Sequence, residues 1–165
     1  MTTLRGPDAA EYCEWHSAWT DLLYVRQALF CRKEIPDTPA NMFLRRAAWE
    51  GAAIGYGRCF KTGRRRALLK QLIDSLDASQ RERHEQVIHW RDKHIGHRVD
   101  PSLEQSVAQV RVNDDGSKRV EVKLTVTPSP NEAEIQELED LASTLMNMVH
   151  ETRIGPLGTK ILDQM

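Results

Sequence analysis

The chain has 165 residues, 40% of them hydrophobic and 28% charged, with 23 Lys and Arg against 24 Asp and Glu for a formal charge of −1. That is one ordinary domain, long enough to bury a core without disulfides or a structural metal. A balance this close to zero excludes a polycation that binds nucleic acid non-specifically, so any nucleic-acid site must be a local patch. Cys13, Cys31 and Cys59 are odd in number, far apart and without a CxxC pair, which argues against a disulfide framework or a zinc knuckle. They lie in apolar helical stretches and are expected to be small buried hydrophobes. No apolar run reaches the roughly 20 residues of a membrane span. The start, Met1 to Pro7, has no apolar signal core, so a cytoplasmic protein without a membrane partner is expected.

From Asp8 to about Lys33, Tyr12, Trp15, Trp19, Leu22, Leu23, Val25, Leu29 and Phe30 recur mostly at three and four residues, the pattern of an amphipathic helix. Ile35-Pro36 stops it, because the residue before a proline is pushed out of the helical region. Asp37 or Thr38 can cap a second helix with Pro39 in its first turn, running through Phe43, Leu44, Ala47, Ala48, Ala52, Ala53, Ile54, Tyr56 and Phe60 to Gly63. Gly51, Gly55 and Gly57 each weaken such a helix by roughly 1 kcal/mol relative to alanine, so a close approach or a bend is expected there. Arg64 to Leu76 gives a shorter helix, with Leu68, Leu69, Leu72, Ile73 and Leu76 on one side. Ser79 and Glu82 have the spacing of a capping box that opens a helix through Val87, Ile88, Trp90 and Ile95, ended by Asp100-Pro101.

The period then changes from 3.6 to 2. Val110, Val112, Val120, Val122, Leu124 and Val126 alternate with charged or polar residues on either side of Asn113-Asp114-Asp115-Gly116, which predicts a β-hairpin at about 105–127 with one half-buried face. Ser129-Pro130-Asn131-Glu132 reads as a second capping box before a helix carrying Ile135, Leu138, Leu141, Leu145, Met146 and Val149. The fold class predicted is mainly α: an up-and-down helical bundle in one domain, 1–154, with a hairpin inserted before the last helix. A tail, 155–165, should order only if it docks. Trp15, Trp19, Trp49 and Trp90 fall on apolar faces and are expected in the core.

Chemistry concentrates in His84 to His97, which holds four of the six histidines and Arg91. At about 100° per residue, Arg83, Val87, Trp90, His94 and His97 share one helical face, with His84, Ile88, Arg91 and Ile95 on the neighbouring stripe. RNA cleavage by its own 2′-hydroxyl needs a base, an acid and positive charge on the pentacoordinate phosphorus. Histidine supplies the first two near neutral pH, and arginine the third through its planar fork.

The segment Arg91-Asp92-Lys93-His94-Ile95-Gly96-His97, late in a helix of a helical bundle, resembles the Arg, four to six residues, His signature of HEPN-domain proteins. The looser string Trp49-Glu50, Tyr56-Gly57-Arg58-Cys59-Phe60 and Arg91 to His94 resembles an uncharacterised bacterial HEPN-like group, the likeness covering about residues 37–98. This resemblance implies a metal-independent endoribonuclease of toxin or defence type, commonly a homodimer whose two motifs face each other across a cleft. RNA would be its substrate and a cognate antitoxin a partner, with no metal and no cofactor. Carried over, Arg91 matches the motif arginine, Asp92 the polar residue after it and His97 the motif histidine, with His94 the alternative. The extra histidine at 94 and the hairpin depart from the family's minimal pattern. A non-catalytic HEPN-like dimeric interaction or nucleotide-binding module is the competing reading.

The best basic patch is Arg58, Lys61, Arg64, Arg65 and Arg66, with Arg45 and Arg46 nearby, where RNA phosphate would relieve cations clustered at a helix start. Bland readings stand beside each of these. Arg91 could simply pair with Glu50 or Asp92, the basic patch could be a solvated turn, and His94 with His97 could share a divalent ion with Glu50 or His84. An exposed hairpin edge could extend a sheet across a dimer.

Overall fold

The computed structural model describes residues 3–61, 70–95, 104–126 and 130–164. Pro7, whose missing N–H costs nothing in a first turn, opens helix α1 (Pro7–Glu34), and Ile35 leaves it in an extended conformation ahead of Pro36. Trp15, Ala18, Leu22, Val25, Leu29 and Arg32 form its buried stripe at alternating steps of three and four. A single 3-10 turn, Pro39–Asn41, leads into α2 (Met42–Lys61). Thr38 makes no side-chain capping bond, and Asp37 lies 3.6 Å from Arg45 instead. Residues 70–74 are helical and carry Leu72 into the core, and the turn after them adds Leu76.

Helix α3 (Ala78–Trp90) starts two residues earlier than a Ser79 cap would allow. Asp77 is its N-cap and accepts a 2.8 Å bond from the Gln80 amide, so the Ser79–Glu82 box does not form. The helix runs directly into a π-turn, Arg91–Ile95. A two-stranded antiparallel hairpin follows, β1 (Glu104–Val112) and β2 (Lys118–Val126), paired Val110 to Val120 and Ala108 to Val122. Its turn is closed by Asn113 and Ser117, with Gly116 at φ 81°, where an L side chain would be strained.

Helix α4 (Glu132–Val149) continues through a second π-turn, His150–Ile154, into α5 (Gly155–Asp163). Its capping box is Asn131 with Glu134, two residues beyond the pair expected, because Asn131 accepts from the Glu134 amide at 3.0 Å while Glu134 reaches back to the Asn131 amide at 2.8 Å. All six apolar residues predicted for this helix are buried. Residues 155–163 are held on α1 by Lys160, 2.8 Å from Asp8, and by Gly158 beside the Tyr12 ring.

The molecule is thus mainly helical, with a hairpin between its third and fourth long helices. Helix α1 packs on α2 and α4, and α3 closes the group against the same two partners. Close approach is what the α2 glycines permit: a Cβ at Gly55 would lie 2.9 Å from a Tyr24 ring carbon. The hairpin's apolar face is not half-buried as predicted. Val110, Val112, Val120, Val122 and Leu124 are all more than half exposed, because no helix covers that face among the described residues. Cys59 is buried as expected, whereas Cys13 and Cys31 lie on the outward sides of α1 and are exposed.

Candidate functional site

Arg91 is the first residue of the π-turn that ends α3, and its side chain lies across α2 at Gly57. A Cβ at position 57 would come within 3.0 Å of Arg91 Nε and 3.1 Å of Cδ, so this glycine is what lets the aliphatic stem cross the helix. The guanidinium donates from one terminal nitrogen to Asp92 Oδ1 at 2.8 Å. Both side chains remain about three-tenths exposed, Arg91 at 29% and Asp92 at 27%. The stem is therefore fixed by packing and the head is oriented by a carboxylate, while part of the fork stays open to water. A π-turn widens the helix by one residue per turn and is often found at functional sites.

Two turns of α3 earlier, His84 packs against α2 between two aromatic rings. Its Nδ1 lies 2.8 Å from the Tyr56 hydroxyl, and its ring meets Phe60 edge-on at 4.7 Å. Burial pushes the Tyr56 hydroxyl well above its usual range and, for the same reason, holds His84 below the usual imidazole value, with Glu85 opposing. A neutral His84 accepts from the Tyr56 hydroxyl through Nδ1 and keeps its proton on Nε2. At the other end of the helix pair, Trp49 and Trp90 meet edge to face at 5.9 Å. They line a cleft of about 300 Å3 with Arg83, Gln86, Val87, Pro130 and Glu134. The buried Trp49 indole N–H has no hydrogen-bond partner. Arg83 reaches across to Glu137 in an ion pair.

The string of residues behind the HEPN resemblance thus becomes spatial. Trp49 meets Trp90, Gly57 meets Arg91, and Tyr56 and Phe60 meet His84. Glu50 is not the partner of Arg91; it pairs with Arg46 at 2.7 Å within α2. His94 is placed by its backbone on the π-turn, while His97 lies outside the described residues. In the basic patch, Arg58 is exposed on α2 and Lys61 ends that helix, whereas Arg64, Arg65 and Arg66 lie outside the described residues. Arg45 is no part of that surface. It is buried, donating to the Ile35 carbonyl at 2.6 Å and to Glu132 at 2.6 Å. Arg32 donates to the same Glu132 oxygen at 2.8 Å and to the Pro130 carbonyl at 2.9 Å, so the two arginines clasp the first residue of α4. Among the described residues, no group of three or more His, Cys, Asp or Glu is placed to hold a metal ion.

Sequence reading missed the Trp49–Trp90 cleft, because both indoles satisfy an apolar helical pattern and nothing in that pattern distinguishes a filled core from a crevice. The Gly57 crossing had a signal in the helix-weakening glycine itself. Comparison of the chain with protein-family models, curated proteins and solved structures finds no match.

Proposed function

We propose that this protein is a metal-independent endoribonuclease in which Arg91 binds the scissile phosphate, Asp92 orients the guanidinium and His97 transfers protons, with His94 the alternative. The observation that carries the reading is the Arg91 head: stem pinned against Gly57, fork turned by Asp92 and still partly open to solvent. An arginine so restrained loses little conformational freedom when two of its donors engage phosphate oxygens. Trp90, the residue before it, lines the tryptophan cleft, which has the aromatic surface a base would stack on.

In the reaction, a neutral imidazole takes the 2′-hydroxyl proton as the 2′-oxygen bonds to phosphorus. The 5′-oxygen leaves with a proton from an imidazolium, and the products are a 2′,3′-cyclic phosphate and a 5′-hydroxyl. Two copies of the motif facing each other would supply base, acid and clamp together. His84 is the wrong histidine for this work, since its Nδ1 is engaged by Tyr56 and its ring is wedged against Phe60.

The test is cleavage of a mixed-sequence RNA in EDTA by the wild type, Arg91→Ala and His97→Ala, with folding and oligomeric state measured for all three. Metal-independent cleavage leaving cyclic phosphate ends, abolished in both folded variants, is the expected result. RNA or nucleotide binding without cleavage would replace the enzyme with a non-catalytic binding module, a reading favoured by the internal Arg91–Asp92 pair. A folded wild type that neither binds nor cleaves RNA overturns the proposal.

A further inference from the structure

The hairpin is the least supported element of the fold. A lone two-stranded hairpin is marginally stable in water, and this one packs on no helix among the described residues. Its even-numbered face carries Ala108, Val110, Val112, Val120, Val122 and Leu124, all exposed, and its odd-numbered face carries Arg111, Arg119, Glu121 and Lys123. Among the described residues each strand pairs on one side only, so β2 presents a free edge of nine residues.

Charge decides which edge can pair with a copy of itself. For two identical antiparallel strands keeping their apolar faces on one side, the residue on the two-fold axis fixes every other pair. Placing Val122 on the axis, the midpoint of Lys118–Val126, makes the strands overlap along their whole length. That same register sets Glu121 opposite the copy's Lys123 twice by symmetry, puts Val120 opposite Leu124, and sets Arg119 opposite Thr125. Moving the axis one residue either way, to Glu121 or Lys123, opposes like charges. On β1 no register joins opposite charges in this way, since Arg111 is the one charged residue of its odd-numbered face. Charged side chains usually guard a strand edge against pairing. Here they guard it against a one-residue shift of the axis; of the two registers that pair Glu121 with a cation, about Val120 with Arg119 or about Val122 with Lys123, the second is the one that overlaps the whole strand.

We propose that β2 pairs edge to edge with β2 of a second copy about Val122, giving a four-stranded antiparallel sheet in the order β1, β2, β2, β1. The pairing completes the ladder of the free edge. It also supplies the additional strands that an isolated hairpin lacks, and it is independent of the chemistry proposed for Arg91.

The experiment uses the full chain in sedimentation velocity across a concentration series. Glu121→Lys and Lys123→Glu should each weaken the dimer by roughly tenfold or more, since each opposes like charges twice. Mixing the two variants should restore it, because every cross-strand pair is then complementary. In a Cys13→Ser, Cys31→Ser background, Val122→Cys should form an intermolecular disulfide on mild oxidation, directly opposite residues lying roughly 4.5–5.5 Å apart at Cα. Val120→Cys, whose opposite number is Leu124, should not. A wild type that stays monomeric overturns the proposal. So does a dimer that neither single charge reversal weakens, or one that cross-links through position 120 and not through 122.

Discussion

Glu132 is the most informative residue to neutralise, because one carboxylate oxygen satisfies two guanidinium groups. Arg32 and Arg45 are 3% and 10% exposed in their side chains, while Glu132 itself is 59% exposed. A charge-assisted hydrogen bond contributes about 1 kcal/mol more than a neutral one, so Glu132→Gln forfeits about 2 kcal/mol across the two bonds before screening. The carboxylate's exposure reduces this to about 1 kcal/mol. Glu132→Ala removes the acceptor altogether. Stripping one partner from a fully buried pair costs about 3–5 kcal/mol. Here the Ile35 and Pro130 carbonyls still receive one bond from each arginine, so the expectation is about 2–3 kcal/mol. In a chain of this length that is a fall in Tm of roughly 4–12 °C, against roughly 2–4 °C for the amide.

The pH dependence supplies an independent check. The Arg32 hydrogen bond, against the opposing effect of burial and with help from Arg45, holds the Glu132 carboxyl below its usual 4.5. A folded-state pKa below the unfolded one means the stabilisation is complete above about pH 4.5 and is lost as pH falls through the folded value. The gap between wild type and Glu132→Gln, followed by urea unfolding with circular dichroism, should therefore be constant from pH 7 to about 5 and close below that. An alanine variant within about 0.5 kcal/mol of wild type at pH 7, or an amide gap that persists in acid, would refute the clasp.

Two further substitutions separate stability from chemistry at the α2–α3 contact. Gly57→Ala adds helix propensity of up to about 1 kcal/mol yet crowds the Arg91 stem, which must shift by a few tenths of an ångström from its crossing. Thermal stability should hold while RNA cleavage, or binding if the protein does not cleave, falls at least tenfold; an unchanged RNA assay would show that the crossing does not position Arg91. Tyr56→Phe removes the hydroxyl donated to His84, which favours the neutral ring. The His84 pKa, followed by NMR titration of its ring protons, should rise from its lowered value, and stability at pH 8 should drop by about 1 kcal/mol. A His84 pKa that stays put or falls would show that burial alone lowers it and that the Tyr56 hydroxyl adds nothing.

The long helices were legible because period and punctuation agreed: Ile35-Pro36 ended α1 where it was expected to, and all six predicted core residues of α4 are buried. Caps were read less well. Ser79 and Ser129 are good capping residues in isolation, but Asp77 and Asn131 sit where the chain actually turns, and a two-residue choice between neighbouring polar side chains is decided by tertiary entry angle. The π-turns left no signal at all. Gly155-Pro156 reads as a break, yet the Gly155 amide bonds back to the His150 carbonyl and the chain passes from α4 into α5 without one. The same effect limits the site. A wheel at 100° per residue places His94 relative to Arg91, and the π-turn that begins at Arg91 has a different pitch. Arg45 showed how far charge alone misleads, since a residue grouped with a surface patch lies buried beneath Glu132.

The clasp between the two ends of the described chain bears on how the molecule comes apart. Asp8 accepts from Lys160 at 2.8 Å and from Gln164 at 3.3 Å, so the first turn of α1 and the last turn of α5 share one carboxylate. Ends of a helical protein ordinarily fray on their own. Here fraying of either end breaks contacts of the other, and the amides of both turns should open together, as a single cooperative unit whose lifetime shortens as salt is added.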